Sequence, residues 1–395
     1  MASISKRRRI DKDGKEVISW MGQINTKGMR KTFYGKTKRE VEEKIKNYNT
    51  ELHQYGSERV KTNITVADWV YKHLLTNKLP ELAPGTFDLY MNIYNAHIKK
   101  SALGKMQLTD VTQIHVQEFL NAYPSLAYST LKKFYLVLLS AFEAAIKNHI
   151  IRVNPAKGVI IPNKTKTPKQ VEVLTLEQQK AYIKATEGEK YQLFYLTALF
   201  TGLRQGELIA LKWKHVNLNK NIIHVNEIVQ RSYVYDRYGN ASKKTLTKAP
   251  KTKSSIREVP IPEFLAELLK EHKPLGETKI INQRYVFETS TGNCLTPTNV
   301  RKYHKRICES AKINPVTIKD EYGNLQTIYK GVSFHALRHT FATRSLEEGE
   351  SIKLLQVILG HSDIETTLNI YTHVLEDTKA ASAHKQHSLY HKLIQ

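Results

Sequence analysis

The sequence predicts a multidomain chain: a small β-sheet plus helix at the amino-terminal end, an all-helical domain, and then a mostly helical α+β domain. Three observations predict it. The 395 residues suffice for two or three separately buried cores. Apolar spacing changes along the chain, from short strand-like runs to helical periodicity and then to a mixture of the two. Two stretches without sustained periodicity, "HQYGSERVKTN" and "NPAKGVIIPNKTKTPKQVEV", separate these regions as linkers. The expected boundaries are 1–60, 65–155 and 170–380, with a tail at 381–395.

In the first module the basic run "SKRRR" precedes a turn at Asp13-Gly14, and "EVISWMGQI" has strand character with Trp20 as an aromatic anchor. A second turn at Lys27-Gly28 leads into "MRKTFYG". The following segment, "TKREVEEKIKNYNTEL", opens with Thr37 as a helix N-cap and Glu40 three residues later. Val41, Ile45 and Tyr48 then recur at helical spacing. Few apolar residues are available for burial here, so the module is expected to be marginal. A basic, frayed extension is the alternative reading.

From Thr65 the pattern is helical. Pro80, Pro84, Gly104 and Pro124 break it into four helices, with Trp69, Tyr90, Phe119 and Leu138 facing a shared core. Lys99, Lys100, Lys132 and Lys133 stay outside that core, as a solvated face or a phosphate-contacting one. The third domain begins at Thr175, a second N-cap with Gln178 in its capping box. "YQLFYLTALFTGLRQGELIALKW" is nearly continuous helix former, interrupted at Thr201-Gly202. "NIIHVNEIV" and "REVPIP" read as strands flanking a basic loop. Helices return at "IPEFLAELLKEH", "TPTNVRKYHKRICESA", "SFHALRHTFATRSLEEG" and "SIKLLQVILG", which makes an α+β domain with a small antiparallel sheet.

The formal charge is +24, from 61 basic against 37 acidic residues spread through the chain. That balance favours a polyanionic partner, nucleic acid before an anionic membrane surface. The positive strands of the first module suit a major groove, with Arg7, Arg8, Arg9, Trp20, Arg30 and Lys31 as contact candidates. Cys294 and Cys308 lack a second CxxC pair, and with no secretory signal they read as reduced thiols of a cytosolic protein. No 18-residue apolar run predicts a spanning helix, and no glycine pattern forms a P-loop or dinucleotide motif.

Three stretches carry chemistry. "HALRH" sets His335, Arg338 and His339 at helical spacing, but without the glutamate of HExxH or a nearby third ligand it predicts no metal site, and His339 reads as a packed histidine. Arg204 follows the apolar "LFTGL", with Glu207 one turn later to hold its guanidinium. Alone that is an ordinary ion pair. "LGHSDIETTLNIYTHV" places His361 and Tyr371 among small polar residues, where a single tyrosine is usually packing. Taken together, two arginines, the histidines, a lysine-bearing loop and a tyrosine match the chemistry of a phosphodiester.

With these boxes in order, the sequence resembles the tyrosine recombinases of the phage integrase family, including integrases of temperate phages and conjugative transposons. "TGLRQGELIALKW", "HALRHTFAT" and "LGHSDIETTLNIYTH" carry the likeness over residues 65 to about 380, and the first 60 residues resemble an arm-site-binding domain more weakly. The resemblance implies that Arg204 and Arg338 clamp the scissile phosphate and that His335 assists proton transfer. It also implies that His361 donates a further hydrogen bond and that Tyr371 attacks phosphorus. In "APKTKSSIREVPIP" it makes Lys251 the general acid, with Lys253 as the alternative. Glu207 would orient Arg204, although exposed helix pairing stays open. The implied reaction needs no cofactor, metal or ATP. The implied partners are double-stranded DNA at core-type and arm-type sites, a homo-tetramer, an excisionase and a host DNA-bending protein, in the cytoplasm of a bacterial host. The tail would contact a neighbouring protomer or remain a basic disordered end. A non-catalytic architectural or transcriptional protein that kept the fold is the competing class.

Overall fold

The computed structural model describes residues 2–10, 16–26, 29–55, 63–163, 171–250, 253–319 and 324–361. The chain forms two compact units, Met1–Lys166 with Tyr235–Ala241, and Thr167–Val234 with Ser242–Gln395. The tail expected at 381–395 lies outside the described residues.

At the amino-terminal end β1 (Ala2–Ile10), β2 (Glu16–Thr26) and β3 (Met29–Gly35) form an antiparallel sheet in that order, followed by α1 (Lys38–Tyr55). The basic run itself is a strand: Arg7 pairs with Ser19 and Arg8 with Ile18, so the ladder supplies order that the sequence pattern alone does not signal. Thr37 Oγ1 accepts the Glu40 N–H at 3.2 Å, and Glu40 Oε2 accepts the Lys36 N–H at 2.8 Å, which satisfies two backbone donors at the helix start. Ile24, Val41 and Ile45 are buried, with Ile4, Trp20, Phe33 and Tyr48 packed around them. The helix runs on through His53, Gln54 and Tyr55, which the sequence reading placed in the linker.

The helical domain consists of α2 (Val66–His73), α3 (Pro84–Ile93), the short α4 (Ala102–Lys105), α5 (Gln113–Asn121) and α6 (Tyr128–Lys147). Pro84 opens α3 where its missing N–H costs nothing, and α2 and α3 each continue through a wider turn, to Lys78 and Ile98. Trp69, Phe119 and Leu138 are buried in one core with Tyr90 packed against it, and the Trp69 indole N–H donates to Ala141 O at 2.7 Å. Ala156 and Val159, read from sequence as linker, are buried in the same core, because an irregular segment can bury side chains without showing a period.

The second unit begins with α7 (Leu176–Thr186), capped by Thr175 and Gln178 as expected, then α8 (Gln192–Thr201) and α9 (Gln205–Ala210). Strands β4 (Val216–Asn217) and β5 (Ile222–Val225) pair with each other. The stretch expected to be a basic loop instead contains the ribbon β6 (Ile228–Tyr235) and β7 (Ala241–Lys248). Five consecutive exposed residues open β7, so apolar alternation could not reveal it. Strand β8 (Arg257–Pro260) completes the β4-β5-β8 sheet, followed by α10 (Glu263–His272), α11 (Thr278–Gln283) and α12 (Pro297–Ser310). A second unexpected hairpin, β9 (Pro315–Lys319) with β10 (Leu325–Tyr329), precedes α13 (Phe334–Glu347) and α14 (Ile352–Leu359). Among the described residues no helix is long and apolar enough to cross a membrane.

Candidate active site

Helix α8 ends because Gly202 turns left-handed at φ 62°, and a side chain there would meet Phe341. The reversal puts Arg204 at the N-cap of α9. Its backbone N–H donates to Glu207 Oε2 at 2.8 Å and its Nη1 to Glu207 Oε1 at 2.9 Å. The same carboxylate accepts a second guanidinium: Arg257 Nη1 reaches Oε1 at 3.0 Å and Nη2 reaches Oε2 at 2.9 Å. Glu207 is 3 % exposed, so the exposed helix pairing left open by the sequence is ruled out. Burial alone would raise the Glu207 pKa, but the hydrogen bonds and charges of Arg257 and then Arg204 outweigh it and hold the group below the usual carboxylate value.

Three arginines converge on the end of α14. Arg257 Nε donates to Ile358 O, Arg338 Nη2 to Leu359 O, and Arg204 Nη2 to Gly360 O at 3.2 Å. Final helix carbonyls lack intrahelical partners and carry the negative end of the dipole, so guanidinium groups suit them. Gly360 makes the turn at φ 64°, where a Cβ would lie 2.9 Å from both Arg257 Cδ and Ser254 O. Arg338 is 2 % exposed and also donates to Gly202 O at 2.7 Å, which ties the end of α8 to the end of α14. The Arg204 side chain is 36 % exposed and opens to the surface.

His335 and His339 lie on α13 with ring centroids 4.6 Å apart and planes at 88°. Enclosure by surrounding atoms, then the charges of Arg338 and Arg204, lower the His335 pKa. Burial first and then Arg338, Arg204 and the other two histidines push His361 down to about 4. Burial, His335 and Arg338 do the same for His339, also to about 4. The lowered pKa values favour the neutral imidazoles beside fixed positive charge, a setting that favours an incoming anion. Among the described residues no group of three or more His, Cys, Asp or Glu side chains is arranged to hold a metal ion.

Of the sequence candidates, Arg204, Glu207, His335, Arg338 and His361 are brought together, whereas Lys251 and Tyr371 lie outside the described residues. Lys253 begins a short 3₁₀ turn, Lys253–Ser255, directly before β8. In the first module Arg7, Arg8 and Arg30 are exposed, Arg30 bonds to Gln23, and Lys31 sits 4.9 Å over the Tyr48 ring. The Arg9 side chain lies outside the description, and Trp20 is half-buried against the small core. Lys99, Lys100, Lys132 and Lys133 are exposed on the helical domain. Arg257 was missed by sequence reasoning. Its signal was there in "IREVPIP": it shares the inward strand face with Val259, and a charge at an inward position requires a buried partner.

Residues 139–378 match the family described as phage integrase, and residues 65–123 match the phage integrase N-terminal SAM-like domain. A tyrosine recombinase XerC-like protein of Caldanaerobacter subterraneus subsp. tengcongensis is 32% identical over 407 residues, covering 98% of this chain and 100% of that protein. The integrase of Staphylococcus phage L54a is 26% identical over 370 residues, covering 85% of this chain and 95% of its own. Among solved structures, the Tn1549 transposon integrase in complex with circular intermediate DNA has a similar fold, with TM-score 0.60 and 23% identity over 82% of this chain and 99% of that one. A lambda integrase tetramer bound to a Holliday junction has TM-score 0.52 and 18% identity, covering 91% and 94%.

Proposed function

The chain belongs to the phage integrase family of tyrosine recombinases, enzymes that cut and rejoin DNA at specific sites, and from that premise we propose that it acts through a 3′-phosphotyrosyl intermediate on Tyr371 to integrate and excise a mobile element. The observation that carries this reading is the convergence of Arg204, Arg338, His335 and His361 around the end of α14, with Glu207 holding Arg204 in place. Planar guanidinium donors suit the nonbridging oxygens of a phosphate that gains charge in its transition state.

In this mechanism the Tyr371 oxygen attacks phosphorus, losing its proton with help from His335. A bond forms to the 3′ phosphate while the bond to the 5′ oxygen breaks. Lys251, with Lys253 as the alternative, supplies the proton that the leaving 5′ oxygen needs. The phosphodiester energy stays in the tyrosyl link, so rejoining runs the same steps in reverse. His361, neutral in the free pocket, donates to the bound phosphate and is drawn toward its protonated form by that charge.

The helical domain at 65–155 and the catalytic domain at 170–380 would grip core-type sites, and the sheet module at 1–60 would hold arm-type sites. The solved relatives bound to DNA, one of them a tetramer on a Holliday junction, support a DNA-bound assembly of several copies. An excisionase and a host DNA-bending protein would then set direction. A nicked suicide duplex carrying the element's own junction tests the reading: excess chelator should leave adduct formation intact, and complete, reversible loss on chelation would reject the metal-free chemistry.

A further inference from the structure

Arg257 lies outside the roles assigned above, yet among the described residues it is one of the few charged side chains that are buried, at 8 % exposure. It makes four kinds of contact. Its two terminal nitrogens grip both oxygens of Glu207, the carboxylate that also orients Arg204. Its Nε donates to Ile358 O, three residues before His361. Nη1 also donates to Ser255 O at 3.2 Å, at the end of the turn that begins at Lys253. Finally, its Cδ packs where a Gly360 side chain would have to sit.

We infer that Arg257 is a positioning residue for strand cleavage, tying Glu207 and Arg204 to the backbone turn that presents His361. A guanidinium is needed because only a planar fork can engage a carboxylate with two nitrogens while a third points to a carbonyl in a different element. The ammonium of a lysine keeps the charge but offers one centre, so it cannot hold α9 and the end of α14 in fixed relation. Arg257 has no direct part in phosphate binding, because its donors are turned inward to Glu207, Ser255 and Ile358. Its loss should therefore slow chemistry without weakening DNA binding.

The inference rests on the recombinase reading, and the experiment separates the two. Full-length wild type, Arg257→Lys and Arg257→Met are compared on the nicked suicide duplex under single turnover at saturating DNA. DNA affinity and the thermal midpoint are measured alongside. The expected result is a cleavage rate reduced by about tenfold or more in Arg257→Lys, with the dissociation constant for DNA held within about threefold. Combining Arg257→Met with Glu207→Gln should slow cleavage far less than the product of the single effects, since both disable one linkage. Arg257→Lys is the arm that guards against misfolding, because it preserves the charge facing Glu207. Cleavage by Arg257→Lys at the wild-type rate, or a rate loss matched by an equal loss of DNA affinity, overturns the positioning role while leaving the recombinase reading intact. Absence of any adduct from wild type overturns both.

Discussion

In the helical domain the large buried side chains are Phe87, Phe134, Phe142 and their aliphatic neighbours, with His73 and Asn154 as buried polar groups. Around α9, β8 and α13 the buried set instead includes Glu207, Arg257 and Arg338. The first arrangement obtains stability from area removed from water. The second places charges where desolvation opposes them, and is held only because each guanidinium meets a carboxylate or a helix-end carbonyl. A side chain can therefore be equally important for stability in both regions and, on the proposed mechanism, matter for chemistry in only one.

The largest effects should expose this contrast directly. Glu207→Ala leaves Arg257 buried without its carboxylate and should cost about 3–5 kcal/mol of stability. Phe142→Ala in the helical domain should cost a similar ~3–5 kcal/mol through its cavity. Per folded molecule, however, Phe142→Ala should cleave at the wild-type rate and Glu207→Ala should scarcely cleave. Denaturant unfolding combined with adduct trapping checks both halves, and equal loss of activity in the two variants would erase the distinction.

An intermediate effect concerns protons. His361 and His339, held near pKa 4, bind fewer protons in the folded protein than in the unfolded chain, whose histidines titrate near 6.5. Their contribution to stability is thus fully present above about pH 6.5 and is lost as pH falls toward 4. His73, lowered by burial in the helical domain, adds the same sense of acid sensitivity. On the proposed reading, the pocket around His361 and not the helical domain should take up protons on binding DNA, because a phosphate bound beside His361 would raise its pKa. Calorimetry at pH 5.5, about midway in that window, in two buffers of different ionisation heat should show uptake in wild type and less in His361→Asn, while His73→Gln leaves it unchanged. Equal uptake in wild type and His361→Asn would contradict the pocket's role.

The smallest expected effect is on the exposed lysines. Lys99→Ala and Lys132→Ala should each weaken DNA binding uniformly across sequences and reduce the log–log salt slope by about one. An unchanged slope would make that face of the helical domain solvated surface.

Much of this was legible in the sequence, for reasons that differ by residue. Thr175 with Gln178 and the break at Thr201-Gly202 are local signals, written in cap and turn chemistry, and the structure carries both. Arg204, His335, Arg338 and His361 could be grouped because they sit in three ordered boxes. The burial of Glu207 could not be read, since an i+3 spacing to arginine looks the same on a solvated helix. Strand β7 and the hairpin β9–β10 were hidden because polar, mostly exposed ribbons lack apolar alternation. Arg257 escaped because its partners, Glu207 and Ile358, lie 50 and 101 residues away in sequence.

On the proposed mechanism this arginine-lined pocket serves a tyrosine nucleophile. Tyr371→Phe removes one hydroxyl and keeps the ring, so folding and DNA binding should persist. The decisive measurement is peptide mapping of the protein–DNA adduct trapped on the nicked duplex. Wild type should carry the 3′-linked nucleotide on Tyr371, and Tyr371→Phe should give no adduct at all. A robust adduct from Tyr371→Phe, or a wild-type adduct on any other residue, would rule out Tyr371 as the nucleophile.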